Sequence, residues 1–132
     1  MNKIHKKYLL LAHTQARKQF GKTFPNPSVG CVLVKNNKIL AMSSTGINGR
    51  PHAEEKVLKK VGKKSIGSTM YVTLEPCYHN SAYGSCAEQI IKSKIKKIFI
   101  SKIDPDPRTN KKSIKLFKKN NIKTVVGFIS EK

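Results

Sequence analysis

His52, Glu54, Cys77 and Cys86 are the residues of this chain whose types can do hydrolytic chemistry together. Zn²⁺ accepts an imidazole nitrogen and thiolates, and a catalytic zinc site keeps three protein ligands with the fourth position open. His52 and Glu54 stand two apart in Pro51-His52-Ala53-Glu54, a spacing that does not share one face of a helix interior. At the first turn of a helix opening after Pro51, both can approach an ion lying beyond the helix end. His52 is then a ligand, and Glu54 reaches the activated water instead. Cys77 follows Glu75-Pro76 and is predicted in the first turn of a helix or in a tight turn, where backbone N–H groups favour thiolate. Cys86 is predicted to open the next helix. Two thiolates and a neutral imidazole balance the charge of Zn²⁺. A carboxyl such as Glu54, closed in an apolar pocket, has a pKa raised towards that of a proton shuttle.

Each piece has a plainer reading. His-Ala-Glu is a common helix start, and cysteines are often small core residues. A structural zinc would want a fourth protein ligand, for which His79 is the candidate, although a substrate contact suits it equally. The presence of Glu54 favours catalysis, because a structural ion does not need that carboxylate. Cys31 lies in an apolar run and reads as core packing. His5 and His13 read as surface or satisfied histidines of the first helix.

The elements that must position these groups follow from periodicity. Ile4, Tyr8, Leu11, Ala12 and Ala16 recur at helical spacing, with the helix predicted to end at Gly21 as its C′ residue. Phe24 to Ser28 contains two prolines and cannot be helical. Val29 to Val34, Asn36-Asn37 and Ile39 to Met42 read as a hairpin whose first strand is buried on both faces. A helix is predicted from Ala53 to Val61, closed by Gly62, and a strand from Met70 to Leu74. Another helix begins near Cys86, followed by a strand from Ile98 to Ile100 and the turn Asp104-Pro105-Asp106-Pro107. A Lys-rich helix around Ile114 and Phe117 precedes a last strand from Thr124 to Val126. The order α-β-β-α-β-α-β-α-β implies an α/β fold, a mixed sheet of about five strands with helices on both faces.

At 132 residues the chain reads as one domain, 1–132, able to bury a core without disulfides. No apolar stretch is long enough to span a membrane. The basic N-terminus leads into too short an apolar run for a signal peptide. An odd number of cysteines, three, suits a reducing compartment, and the chain reads as cytoplasmic. The net charge of +20 raises the question of nucleic acid. Only Arg17, Arg50 and Arg108 among the 27 basic residues are arginine, and the lysines are scattered without interleaved aromatics. That disfavours a nucleic-acid partner, while an anionic small substrate is still helped by the field. Of the seven carboxylates, Glu54, Glu55, Glu75, Asp104 and Asp106 fall inside the motif segments.

Zinc deaminases carry a H-x-E…P-C-x-x-C pattern in which the Glu shuttles protons. This chain has His52-Ala53-Glu54 and Pro76-Cys77, but eight residues separate Cys77 from Cys86. With Pro25-Asn26-Pro27-Ser28-Val29-Gly30, Tyr71-Val72-Thr73-Leu74-Glu75-Pro76-Cys77, His79 and Asp104-Pro105-Asp106-Pro107, it resembles the cytidine-deaminase-like zinc enzymes. Within them it is most similar to the deaminase domain of the bacterial bifunctional riboflavin biosynthesis proteins, a branch marked by the longer cysteine gap. The resemblance implies a three-layer α-β-α sandwich and zinc-dependent hydrolytic deamination of an aminopyrimidine ribosyl 5′-phosphate. It implies His52, Cys77 and Cys86 as ligands and Glu54 as general acid/base. Asn26 and His79 match pocket-lining positions, with Asp104 and Asp106 on a loop beside them. It further implies a homodimer or higher homo-oligomer. The family's reductase domain usually follows the deaminase, and a chain ending at Lys132 would need a separate reductase partner.

The departures concern the substrate. Ala82 stands where the family carries the basic residue associated with the substrate phosphate, and Asp106 stands where Asn is usual. The stretch after the turn is altered to Arg108-Thr109-Asn110-Lys111-Lys112-Ser113, whose cations could compensate. Deamination of another nucleobase, nucleoside or RNA base therefore stays open, as does a zinc-stabilised binding module without turnover.

Overall fold

In a computed structural model of the chain, described over residues 2–79 and 85–127, five strands form one mixed sheet in the order β2-β1-β3-β4-β5. Ala82 and its neighbours from Asn80 to Gly84 lie outside the described residues. The strands are β1 (Gly30–Lys35), β2 (Lys38–Ser44), β3 (Thr69–Val72), β4 (Lys97–Ile100) and β5 (Lys123–Val126). β1 runs antiparallel to both β2 and β3, whereas β3, β4 and β5 are parallel. The β1–β2 hairpin turns on Asn36 and Asn37, both at positive φ, a backbone Asn tolerates and a two-residue hairpin turn demands. The four longer helices are α1 (Lys3–Arg17), α2 (Ala53–Val61), α3 (Cys86–Lys92) and α4 (Lys112–Lys119).

β1 is buried along nearly its whole length because both of its faces are covered. On one face Tyr8, Leu9 and Ala12 of α1 pack on Val32, Val34, Tyr71 and Phe99. On the other, Val57 of α2, Ile90 of α3 and Phe117 of α4 pack on Leu33, Met70, Val72, Ile98 and Ile100. The result is the expected three-layer α-β-α arrangement, one helix against three. α1 lies so close to β1 that a Cβ at Gly30 would sit 1.7 Å from the Ala12 carbonyl oxygen. Only glycine fits there. The two histidines of α1 are satisfied: His5 Nδ1 lies 2.6 Å from the Tyr71 hydroxyl and His13 Nε2 lies 2.8 Å from Ser101 Oγ.

Several strand ends differ from expectation by one or two residues, and two boundaries are instructive. α1 ends at Arg17 with Lys18 as its C-cap, so Gly21, at φ +81°, belongs to the loop beyond and is not the C′ residue. The apolar spacing behind that expectation stops at Ala16. β3 ends at Val72 instead of Leu74, because the backbone N–H of Glu75 has turned to the Lys102 carbonyl. That turn brings Glu75 to Cys77 out of the sheet plane at the C-terminal end of the parallel strands, where α/β sheets place their sites.

Candidate active site

His52 is the N-cap of α2, and its backbone N–H donates to Glu55 Oε1 at 2.9 Å. This start of α2 puts the His52 ring beyond the helix end, with Glu54 in the first turn and only 4 % exposed. Cys86 is the first residue of α3, after Ser85, whose side chain accepts from the Glu88 N–H. Cys77 departs from expectation. It lies in an irregular segment and starts no helix. Its thiolate stabilisation comes instead from α3: Cys77 Sγ accepts the Cys86 N–H at 3.2 Å, and the Cys77 carbonyl accepts the Ala87 N–H at 3.1 Å. The positive end of a neighbouring helix thus does what a helix of its own would have done.

The three donor atoms converge. His52 Nδ1 is 3.1 Å from Cys86 Sγ and 3.8 Å from Cys77 Sγ, and all three lie within 4.8 Å of one another. Zn–N bonds of roughly 2.0–2.1 Å and Zn–S bonds of roughly 2.3 Å, at tetrahedral angles, separate donor atoms by about 3.6–3.8 Å. The trio therefore fits that ion in chemistry and, at Cys77, in spacing, with Cys86 needing to move out from His52 by about half an ångström. Its protonation is mutually dependent. The hydrogen bond with Cys86, backed by His52, holds the Cys77 thiol down at about 4, and the same contact pushes the Cys86 thiol up. The His52 ring is held above its ordinary value, first by its contact with Cys77. A divalent cation replaces such shared protons and leaves two thiolates and a neutral imidazole. His79 does not join the cluster, so among the described residues no fourth side chain closes the site. That is the open arrangement of a catalytic zinc centre rather than a structural one.

Glu54 lines the same cavity, of about 220 Å³, as His52 and Cys77. Its carboxyl is pushed up to about 7, first by burial, with the His52 ring working in the opposite direction. Cys31 is fully buried in the core, and burial, then Glu54, pushes its thiol far from reactivity.

Asn26, His79, Asp104 and Asp106 all line this cavity as well. Asn26 donates its side-chain amide to the Gly49 carbonyl at 2.9 Å. Gly49 has φ +89°, and a Cβ there would meet the Asn26 side chain at 2.8 Å, so glycine is required for this approach. His79 Nδ1 lies 2.9 Å from the hydroxyl of Thr109. Asp104 Oδ1 accepts the Asp106 N–H at 2.9 Å, which fixes the turn. Asp106 is bound by Arg108 through Nη2–Oδ2 at 2.7 Å, and this contact holds its carboxyl down at about 2. The extra negative charge of Asp106 is therefore met by Arg108 on the same rim.

Two residues went unassigned in the sequence reading. Glu75, 2 % exposed, accepts the Asp104 and Lys111 N–H groups on Oε1 (3.2 and 2.9 Å) and the Ser113 N–H on Oε2 (3.1 Å). It caps α4, whose own N-cap, Lys111, makes no side-chain cap bond. Thr109, fully buried, accepts the Tyr78 N–H at 3.1 Å and holds His79. The available signal was a carboxylate and a hydroxyl placed in loops flanked by proline, with no pattern to name their distant partners.

Residues 2–102 match the cytidine and deoxycytidylate deaminase zinc-binding region. The chain is 41% identical over 109 residues to the diaminohydroxyphosphoribosylamino-pyrimidine deaminase of Buchnera aphidicola subsp. Schizaphis graminum, covering 83% of this chain and 74% of that protein. It is 39% identical over 131 residues to the riboflavin biosynthesis protein RibD of Aquifex aeolicus, which covers 99% of this chain but 37% of that longer protein. Among solved structures, Acinetobacter baumannii RibD superposes with a TM-score of 0.89 at 34% identity, over 95% of this chain and 35% of that one. A Thermotoga maritima diaminohydroxyphosphoribosylaminopyrimidine deaminase/5-amino-6-(5-phosphoribosylamino)uracil reductase gives 0.87 at 34% identity, over 94% and 36%. With a family match over most of its length, a donor set fitted to zinc and a buried carboxylate beside it, this chain belongs to the cytidine and deoxycytidylate deaminase family of zinc-binding enzymes.

Proposed function

We propose that the protein hydrolytically deaminates diaminohydroxyphosphoribosylaminopyrimidine in riboflavin biosynthesis, with His52, Cys77 and Cys86 holding zinc and Glu54 as the catalytic acid and base. The observation that carries this reading is the pairing of a buried Glu54 with His52 and Cys77, two of the three clustered donors, in one cavity. The substrate rests on the Buchnera and Thermotoga relatives, whose names specify it.

When bound, zinc supplies the Lewis acidity that makes water an attacking nucleophile at neutral pH. Glu54 takes a proton from the attacking water at its carboxyl oxygen and delivers it to the substrate's ring nitrogen. It then takes the proton of the newly added hydroxyl and gives it to the amine, which departs as ammonia as the C–N bond breaks and the carbonyl forms. A carboxyl that titrates near neutrality serves both directions. Asn26 and His79 orient the heterocycle on the wall facing Glu54, each already held by a bond to the backbone or to Thr109. Arg108, the only lysine or arginine among the described lining residues, supplies the counter-charge for the ribosyl phosphate.

The zinc-loaded protein is expected to release ammonia from that compound, and Glu54→Gln is expected to lower kcat by about 10²–10⁴-fold with zinc retained. A zinc-loaded protein that leaves the compound unchanged sinks the substrate. The same inference places the enzyme in the cytoplasm, supported by its three free cysteines. A homo-oligomeric assembly belongs to the same reading. So does a reductase consuming the product, since the Thermotoga relative's name joins the two activities.

A further inference from the structure

A second cavity, of about 310 Å³, opens at the opposite end of the sheet from the zinc cluster. One rung of the sheet runs through Val34, Thr69, Lys97 and Lys123, each the register partner of the next. Directly paired residues share a face, so Lys97 and Lys123 stand on the α1 side, beyond the end of the Tyr71–Phe99 stack. Lys35, Lys96 and Lys97 line the cavity with His5, Thr69 and Tyr71, and among the described residues no carboxylate lines it. Among the described residues neither ion pair involves a lysine. Lys97 Nζ rests 4.7 Å from the centre of the Phe99 ring, and His5 stacks on the same ring at 4.4 Å.

Like charges brought together on a sheet end repel, and burial sharpens the cost. The Lys97 ammonium is held below its ordinary value, first by burial and then by Lys123 and Lys96. Nothing in the packing requires this arrangement, because Lys96 is exposed and makes none of the core. Lys96 and Lys97 belong both to this repelling group and to the cavity lining, so an anion bound in the cavity beside them lowers the repulsion, and lysine is a point-charge partner for phosphate. A volume of this size lies at the small end of ligand pockets, roughly 300–1,000 Å³, which suits one small molecule better than a polymer.

We propose that the cavity bounded by Lys35, Lys96, Lys97 and His5 is a second binding site, separate from the zinc centre, for the phosphoryl group of a small phosphorylated metabolite. The site does not depend on the deaminase reading.

The test is an amide NMR titration of the zinc-loaded full chain with AMP and with inorganic pyrophosphate, adenosine serving as the phosphate-free control. Saturable shifts are expected at His5, Thr69 and Lys97, distinguishable from any at His52, Glu54 and Cys77, and absent with adenosine. Lys96→Glu/Lys97→Glu should weaken binding about tenfold or more. The same charge change at the exposed Lys59→Glu/Lys60→Glu on α2 should weaken it by less than about twofold. Both variants should keep dispersed spectra, and the first should deaminate at the parent rate. Absence of those shifts overturns the proposal, as does equal weakening by both variants. Binding of a single-stranded RNA at these residues, with neither small phosphate binding, overturns it in favour of a nucleic-acid surface.

Discussion

The two walls of the zinc-side cavity are built on different principles. One wall is made by chain starts: His52 caps α2, Cys86 opens α3, and Cys77 is fastened to the same α3 end through its thiol and its carbonyl. The other wall, the Asp104–Ser113 connection, has little regular structure and hangs on one buried carboxylate, Glu75, through three backbone N–H groups. The difference separates chemistry from fit. Helix ends fix the donor atoms, whereas the wall that carries Asp104, Asp106 and Arg108 depends on contacts spanning 29 to 38 residues.

Breaking the first wall should have the largest effect. Cys77→Ala removes a donor that no other described side chain replaces. Metal analysis is expected to fall from about one zinc per chain towards none. Ammonia release should drop by more than ~10²-fold, exceeding typical losses from outer-shell changes. Full zinc retention in this variant would mean that another group, His79 foremost, can enter the cage, and the two walls would not be separate. Breaking the second wall should look different. Glu75→Gln preserves shape but leaves one acceptor for three N–H groups and withdraws negative charge from the start of α4. A loss of about 1–3 kcal/mol in denaturant stability is expected, with zinc retained and KM raised more than kcat lowered. Loss of zinc from Glu75→Gln would show that the loop also holds the cage.

The same contrast explains what was legible. All nine expected helices and strands occur in the expected order, because periodicity and buried runs are local signals, as at β1 and α2. The donors and Glu54 were legible for a related reason: Pro51, Glu75-Pro76 and the run after Cys86 announce where chain segments begin. What was not legible was long-range. Nothing near Cys77 says that its helix dipole comes from α3, and nothing near Glu75 names Ser113. The overshoot of α1 to Gly21 is a milder case, since a glycine at positive φ serves a loop as well as a helix end.

A milder cut within the second wall is Thr109→Val. The Thr109 hydroxyl accepts the Tyr78 N–H and meets His79 Nδ1, so valine removes the buried partner of both half-exposed groups while keeping the volume. A cost of about 1 kcal/mol and a several-fold rise in KM are expected, with kcat and zinc nearly untouched. Unchanged KM would remove His79 from the substrate wall.

The smallest effect on the fold should come from the rim, and it sharpens the comparison most finely. Asp106→Asn keeps an oxygen able to accept the Arg108 N–H, so the turn persists. What disappears is the carboxylate that engages the Arg108 guanidinium. The pair is exposed, and exposed pairs contribute little to stability, so the melting temperature should not move measurably. If Arg108 is the counter-charge for a ribosyl phosphate, the freed guanidinium should lower KM for the phosphorylated substrate by about two- to fivefold at low salt, an advantage that fades as ionic strength rises. The dephosphorylated ribosyl compound should show no such gain. A gain shared by both compounds would mean that Asp106 acts on the heterocycle instead, and the phosphate would have to be met from another side of the cavity.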